Sequence, residues 1–205
     1  IIPKLVKEHK AHAHDFSMSC IRNQGNLEIC YWRDVGTIDA YWEANMDVAS
    51  VQPQLDVYDT KWPIWTHQDQ LPPAKYVQDI SGASSVVMNS VCSAGCIISG
   101  SSLCHSVLFS NSRVHSNCCL NEAVILPSCV IHRGCRLTKV VLDRGCELPR
   151  NLIIGENETT DARRFFRTAG GVVLVTREML EKLRVDEPHL FDGFEEYSAN
   201  SSPIY

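Results

Sequence analysis

The residues able to do chemistry set the first limits. Cysteine stands at positions 20, 30, 92, 96, 104, 118, 119, 129, 135 and 146, and no C-x-x-C pair occurs among them. Without that spacing neither a zinc ribbon nor a thioredoxin-like redox motif is supported. A disulfide scaffold belongs to short secreted chains, so the ten thiols read as buried free side chains, small hydrophobes of a cytosolic protein. Of the eight histidines, His105, His115 and His132 fall in a zone of short strand-like runs. Each could act as general base toward an acyl-CoA, but a lone strand histidine is more often satisfied locally, and no acidic orienter stands at a recognisable spacing. Asp34 lies in Trp32-Arg33-Asp34-Val35-Gly36, where an aspartate ordinarily caps a turn. Arg33 suits a phosphate or, equally, a surface ion pair.

These groups need elements to hold them. Ile38, Tyr41, Trp42, Met46 and Ala49 share one helical face, with Thr37 as N-cap after Gly36. Pro53, Pro63, Pro72 and Pro73 make the segment 51–80 an extended linker laid over a surface. From about 86 to 155, short runs of Val, Ile, Leu and Cys alternate with Ser, Gly, Asn and Arg. Val91, Ile97, Leu103 and Phe109 repeat every six residues; Cys118, Val124 and Val130 form a second set, and Leu142, Leu148 and Ile154 a third. A six-residue period predicts a left-handed parallel β-helix with three hexads per triangular coil. Slips between the sets are expected from single residues inserted at corners, and the small Cys, Ser, Ala and Gly from tight corners. A β-sandwich would instead alternate with period two. Beyond Gly155 come a short helix start over Thr160–Phe166, a strand over Gly171–Val175 and a helix capped by Thr176 through Leu183. After Val185 an acidic tail (Asp186, Glu187, Asp192, Glu195, Glu196) is expected to fray.

Nineteen Lys and Arg against 24 Asp and Glu give a net charge of −5, so no global basic field draws nucleic acid or anionic lipid. No apolar run is long enough for a membrane span. The start at Ile1-Ile2-Pro3-Lys4 has no initiator Met and no signal segment, so a fragment lacking its N-terminal part is expected.

Tyr31-Trp32-Arg33-Asp34-Val35-Gly36-Thr37, followed by Ile38-Asp39-Ala40-Tyr41-Trp42-Glu43-Ala44-Asn45, resembles the end of the catalytic domain of bacterial glucose-1-phosphate adenylyltransferase (ADP-glucose pyrophosphorylase). The resemblance runs in order through Leu71-Pro72-Pro73-Ala74-Lys75, Ser106-Val107-Leu108-Phe109-Ser110, Ile154-Gly155-Glu156-Asn157 and Val175-Thr176-Arg177-Glu178-Met179-Leu180, over roughly residues 1–184. It implies an α/β plus β fold, the end of a Rossmann-like nucleotidyltransferase domain followed by a left-handed parallel β-helix. The divisions are 1–70 for the catalytic part and linker, 71–184 for a regulatory and oligomerisation β-helix, and 185–205 for the acidic tail.

The implied reaction joins ATP and α-glucose 1-phosphate to give ADP-glucose and pyrophosphate for glycogen synthesis, in a cytoplasmic homotetramer. The fragment alone would be inactive. The resemblance makes Asp34 a catalytic Mg²⁺ ligand. It gives Arg144 to a nucleotide (AMP-like) inhibitor, and Arg177, Glu178, Met179 and Leu180 to the segment binding a sugar-bisphosphate activator. One step on, related enzymes can carry a second basic residue; here stands Glu181, so Lys182 or Arg184 substitutes or the activator differs. The alternatives are a non-catalytic regulatory or structural β-helix subunit and a hexapeptide acyltransferase.

Overall fold

The computed structural model describes residues 1–23 and 26–192. Four α-helices are present among them: α1 (Ile2–Lys7), α2 (Ile38–Val48), α3 (Glu158–Arg164) and α4 (Arg177–Asp186). Short strands stack into three parallel sheets that form the sides of a β-helix. One side runs Val86–Met88, Ser102–Cys104, Cys119–Asn121, Arg136–Thr138, Ile153–Ile154. A second contains Val91–Cys92, Val107–Leu108, Val124–Ile125, Val140–Leu142 and Val173–Val175, closed by the antiparallel Phe166–Arg167. The third contains Lys75–Val77, Ile97–Ser99, Arg113–Val114, Val130–Ile131 and Glu147–Leu148. This is a parallel β-solenoid of hexapeptide type, consistent with the left-handed form. The first strand, Lys75–Val77, lies within the segment read as linker, which is otherwise without helix or strand from Ser50 to Ala74.

Strand register corrects the simple six-residue count. Ser102, Cys119, Arg136 and Ile153 stand in one column, each 17 residues after the last. The earliest coil is shorter: Val86 pairs with Ser102 and Val91 with Val107, 16 residues on. The fully buried Leu120, Ile125, Ile131, Leu137, Leu142, Leu148 and Ile154 therefore step by five, six and six. One side of each coil lacks a residue, where an insertion was expected. That shift puts Val91, Ile97 and Phe109 off the inward positions, which belong to Cys92, Ile98 and Leu108; Leu103 alone of that set points in. Val124 is buried on the outer surface under α2, and Val130 is only half-buried. Leu142, Leu148 and Ile154 all lie in the core as read.

Two residues before each inward aliphatic sits a second inward position, and there the small residues collect: Cys96, Ser101, Ser106, Ser112, Cys118, Ala123, Cys129, Cys135 and Cys146. Their side chains donate to carbonyls that turn inward at the next corner. Cys96 Sγ reaches Phe109 O at 3.1 Å, Cys129 Sγ reaches Asp143 O at 3.1 Å, and Ser101 Oγ reaches His115 O at 2.6 Å. A buried carbonyl without a donor is costly, so a small donor is selected over a larger hydrocarbon. Burial pushes the Cys129 thiol up to about 11 and the Cys146 thiol to about 12, which keeps the proton on sulfur. The expectation of buried free thiols holds for Cys96, Cys118, Cys129, Cys135 and Cys146. It fails for Cys119, which is exposed, and for Cys20 and Cys30, which form a disulfide beside the hairpin of Arg22–Asn23 and Asn26–Cys30.

The corners repeat too. Gly100, Asn117, Gly134 and Asn151 form one column with φ between 46° and 79°, the left-handed region that Gly and Asn tolerate best.

Helix α2 packs on the second side. Thr37 Oγ1 accepts the Ala40 amide at 3.1 Å, and Ile38, Tyr41, Trp42, Met46 and Ala49 cover Val107, Val124, Val141 and Val172. Directional bonds add to this apolar contact: Trp42 Nε1 donates to Glu122 O at 2.7 Å, and Thr168 Oγ1 donates to Asp39 Oδ1 at 2.6 Å.

Order continues beyond the expected helix end at Leu183. α4 runs to Asp186 and a 3₁₀ turn covers Pro188–Phe191, with Leu190 and Phe191 against the core. Glu187 accepts Arg164 Nε and Nη2 at 2.9 and 2.5 Å and Arg163 Nη2 at 3.0 Å, so residues 185–191 are tied down rather than frayed. Glu195 and Glu196 of the acidic tail lie outside the described residues.

Candidate functional site

Asp34 occupies the loop between the hairpin and α2. It is exposed, and its Oδ1 accepts the Gly36 amide at 3.0 Å, which shapes the entry to the Thr37 cap. The other carboxylate oxygen is left to other partners. Arg33 pairs across the loop with Asp47 at 3.5 Å. Among the described residues no group of three or more His, Cys, Asp and Glu is placed to hold a metal ion. The residues at hand therefore do not make a magnesium site by themselves; Asp34 could supply one ligand of a larger set.

Arg144 and Arg177, 33 residues apart in sequence, meet in one cleft of about 540 Å³ lined also by Tyr41, Phe109, Leu126, Pro127 and Asp143. The coil register explains the lining. Phe109, Leu126 and Asp143 follow one another at 17-residue steps, the column just past the second-side strands, and Pro127 and Arg144 form the next column. Arg144 sits in the corner turn Asp143-Arg144-Gly145, with its amide donating to Asp143 Oδ1 at 2.8 Å. Arg177 opens α4, whose N-terminus is capped by Thr176 Oγ1 accepting the Met179 amide at 3.3 Å. Strand Val173–Val175 lies directly beside Val140–Leu142, so the excursion through α3 returns Arg177 to the Arg144 corner. The Arg177 guanidinium carbon comes within 3.8 Å of where a Gly145 side chain would begin.

Opposite the two cations stand Tyr41 and the apolar Phe109, Leu126 and Pro127; burial pushes the Tyr41 phenol up from its ordinary value and keeps it protonated. Two guanidiniums beside an apolar wall suit a phosphorylated compound with a flat or carbon-rich body. The cleft presents neither a thiol nor an imidazole, so it is equipped to bind rather than to transform.

Glu178, Met179 and Leu180 do not join Arg177 in the cleft lining. Helical rotation of about 100° per residue carries them away. Leu180 is buried in the core at 5% exposure, Met179 packs against it, and Glu178 is exposed. This corrects the expectation that all four neighbours form one binding segment.

The histidines considered as acyl-transfer bases are placed as follows. His105 Nε2 lies 3.1 Å from Met46 O and helps dock α2. His132 is 3% exposed, with Nε2 2.8 Å from Glu147 Oε1. That carboxylate is the orienter not visible in sequence: the separation of 15 residues is a neighbour relation only in a 17-residue coil. Tyr41 was missed for a similar reason, since helical periodicity marks it simply as apolar face.

Fold and cleft together define a class, a nucleotidyltransferase segment carrying a hexapeptide β-helix. Residues 1–51 are similar to the nucleotidyl transferase family, and residues 72–175, just over half of the chain, match the family described as GlmU-like, C-terminal hexapeptide. The chain belongs to the GlmU-like hexapeptide family. No helix among the described residues is long and apolar enough to cross a membrane.

Proposed function

We propose that the chain is the C-terminal portion of a glucose-1-phosphate adenylyltransferase and that its cleft at Arg144 and Arg177 is the effector site of that enzyme. The observation carrying this reading is the convergence of those two arginines. Each was singled out separately as an effector contact, and they share one cleft with Tyr41 from the segment similar to nucleotidyl transferases. In the reaction an oxygen of α-glucose 1-phosphate attacks the α-phosphorus of ATP in line and pyrophosphate leaves. Such transfer depends on positioning and charge neutralisation. Mg²⁺ would supply part of that neutralisation with Asp34 as one carboxylate ligand. The intact enzyme would be a cytoplasmic homotetramer feeding glycogen synthesis, with an AMP-like inhibitor and a sugar-bisphosphate activator sharing the arginine cleft.

The test is ADP-glucose and pyrophosphate formation by the full-length protein containing this chain, with and without AMP. Turnover dependent on both substrates is expected, and Arg144→Ala or Arg177→Ala should weaken the AMP response by about 10- to 100-fold, the worth of a charged hydrogen bond. No product from ATP and glucose 1-phosphate, or an AMP response unchanged in both variants, would overturn the reading.

A further inference from the structure

A second recess of about 260 Å³ opens at another corner of the prism, lined by Ile80, His115, Ser116, His132, Arg133 and Arg150. It shares no residue with the Arg144–Arg177 cleft. Coil stacking builds it in two columns. His115 and His132 lie one coil apart with ring centroids 5.0 Å apart and planes within 4°, and Ser116, Arg133 and Arg150 follow in the next column at 17-residue steps. The lower imidazole is fixed by Glu147, which makes His132 a rigid platform beneath His115. Arg133 and Arg150 are exposed at the rim.

The charges facing His115 are mostly of one sign. Burial first, and then His132, Arg113, Arg133 and Arg150, lower its pKa to about 4. The nearby carboxylates are occupied: Glu147 holds His132, and Asp79 Oδ1 accepts the Ser81 hydroxyl and the Ala83 amide while feeling Arg133. In a chain of net charge −5, the recess thus gathers three guanidiniums around an imidazole.

We propose that this recess is an anion site for a small phosphate-bearing compound, gripped by Arg133 and Arg150 with His115 as a further donor. Guanidinium forks match phosphate oxygens bidentately, and the stacked register sets the two forks one coil apart. An anion seated there offsets the guanidinium field, so its binding and the protonation of His115 favour each other. This inference is independent of the adenylyltransferase reading and stands or falls without it.

The test follows histidine side-chain resonances of the full chain during titration with inorganic phosphate, against sodium chloride at equal ionic strength, with His115 assigned through His115→Gln. Saturable movement of the His115 signals and an upward move of its titration midpoint by about one unit are expected with phosphate and not with chloride. The double variant Arg133→Gln, Arg150→Gln changes exposed side chains only; its amide spectrum reports folding, and it should bind phosphate at least about tenfold more weakly. Glycerol 3-phosphate is the second arm: tighter binding than phosphate assigns the site to an esterified metabolite, equal binding to the free anion. No phosphate-specific movement at His115, or undiminished movement in the folded double variant, would overturn the proposal.

Discussion

Replacing Gly155 by alanine tests the coil geometry at its tightest point. Gly155 follows the inward Ile154 and has φ +90°; a Cβ there would lie 1.7 Å from the Thr138 carbonyl oxygen and 2.7 Å from its carbon. Both obstacles are backbone of the preceding coil, so no side chain can swing aside. Two costs are separable. The left-handed conformation costs an L-residue about 1 to 2 kcal/mol, and displacing a packed coil adds about 1 to 3 kcal/mol. Gly82 is the internal control, because its φ is +85° and nothing lies within 4 Å of its built Cβ. Gly82→Ala should therefore show the conformational cost alone and Gly155→Ala the sum, about 3 to 5 kcal/mol. For a chain of this size the sum corresponds to a fall in Tm of about 10 °C or more, and the control to about 2 to 8 °C. Urea unfolding followed by far-ultraviolet dichroism and tryptophan fluorescence measures both, coincident transitions marking a single cooperative unit. If the two variants lose stability within about 1 kcal/mol of each other, the close stacking of Gly155 on Thr138 is refuted.

Three other perturbations reach different parts of the molecule. Trp42→Phe keeps most of the apolar cover but removes the indole donor from Glu122 O, so α2 should loosen by about 1 to 2 kcal/mol; amide exchange should accelerate in Tyr41–Val48 and not in the coil strands. Asp34→Asn in the intact enzyme should cut turnover by at least about 100-fold with substrate affinity less affected; steady-state assay decides, and an unchanged rate removes the metal role. Because His115 titrates near 4 when folded, against an ordinary value of 6.5, the unfolded chain takes up its proton first on acidification. Its contribution is full above about pH 6.5 and is lost as pH falls toward 4, amounting to about 1 to 2 kcal/mol after allowance for partial exposure. Urea midpoints of the parent chain and His115→Gln at pH 7 and pH 5 should show that loss in the parent only.

What could be read from sequence divides by the range of the interaction. The α2 face and its Thr37 cap were legible because helical spacing is local, and Leu142, Leu148 and Ile154 were legible because two consecutive sides happen to take six residues each. Val91, Ile97 and Phe109 misled because a repeat of six ignores the five-residue side. The 17-residue step was present in the corner residues Gly100, Asn117, Gly134 and Asn151, whose shared need for positive φ is a backbone signal rather than a hydrophobic one. Glu147 under His132 and the facing of Arg177 to Arg144 required that coil length, and the latter also required the path through α3. Cys20 and Cys30 could not be paired in advance, since spacing alone does not say which thiols a hairpin will bring together.

The same register also bears on how a ligand could act. Tyr41 belongs to α2, within the segment similar to nucleotidyl transferases, whereas Arg144 and Arg177 belong to the coil and the helix that follows it. A compound in their cleft touches both, and α2 is held to the coil by a short set of contacts: the valine cover, Trp42 to Glu122, Asp39 to Thr168 and Met46 to His105. Binding energy in the cleft can bias α2 only insofar as the compound prefers one position of Tyr41 over another. A ligand held by the arginines alone would bind without transmitting anything, whereas one that stacks against Tyr41 would make the seating of α2 part of its own affinity. Tyr41→Phe and Tyr41→Ala separate these cases: if the aromatic face is the coupling surface, the phenylalanine variant keeps the effect of an inhibitor on α2 amide exchange and the alanine variant loses it while still binding at Arg144 and Arg177.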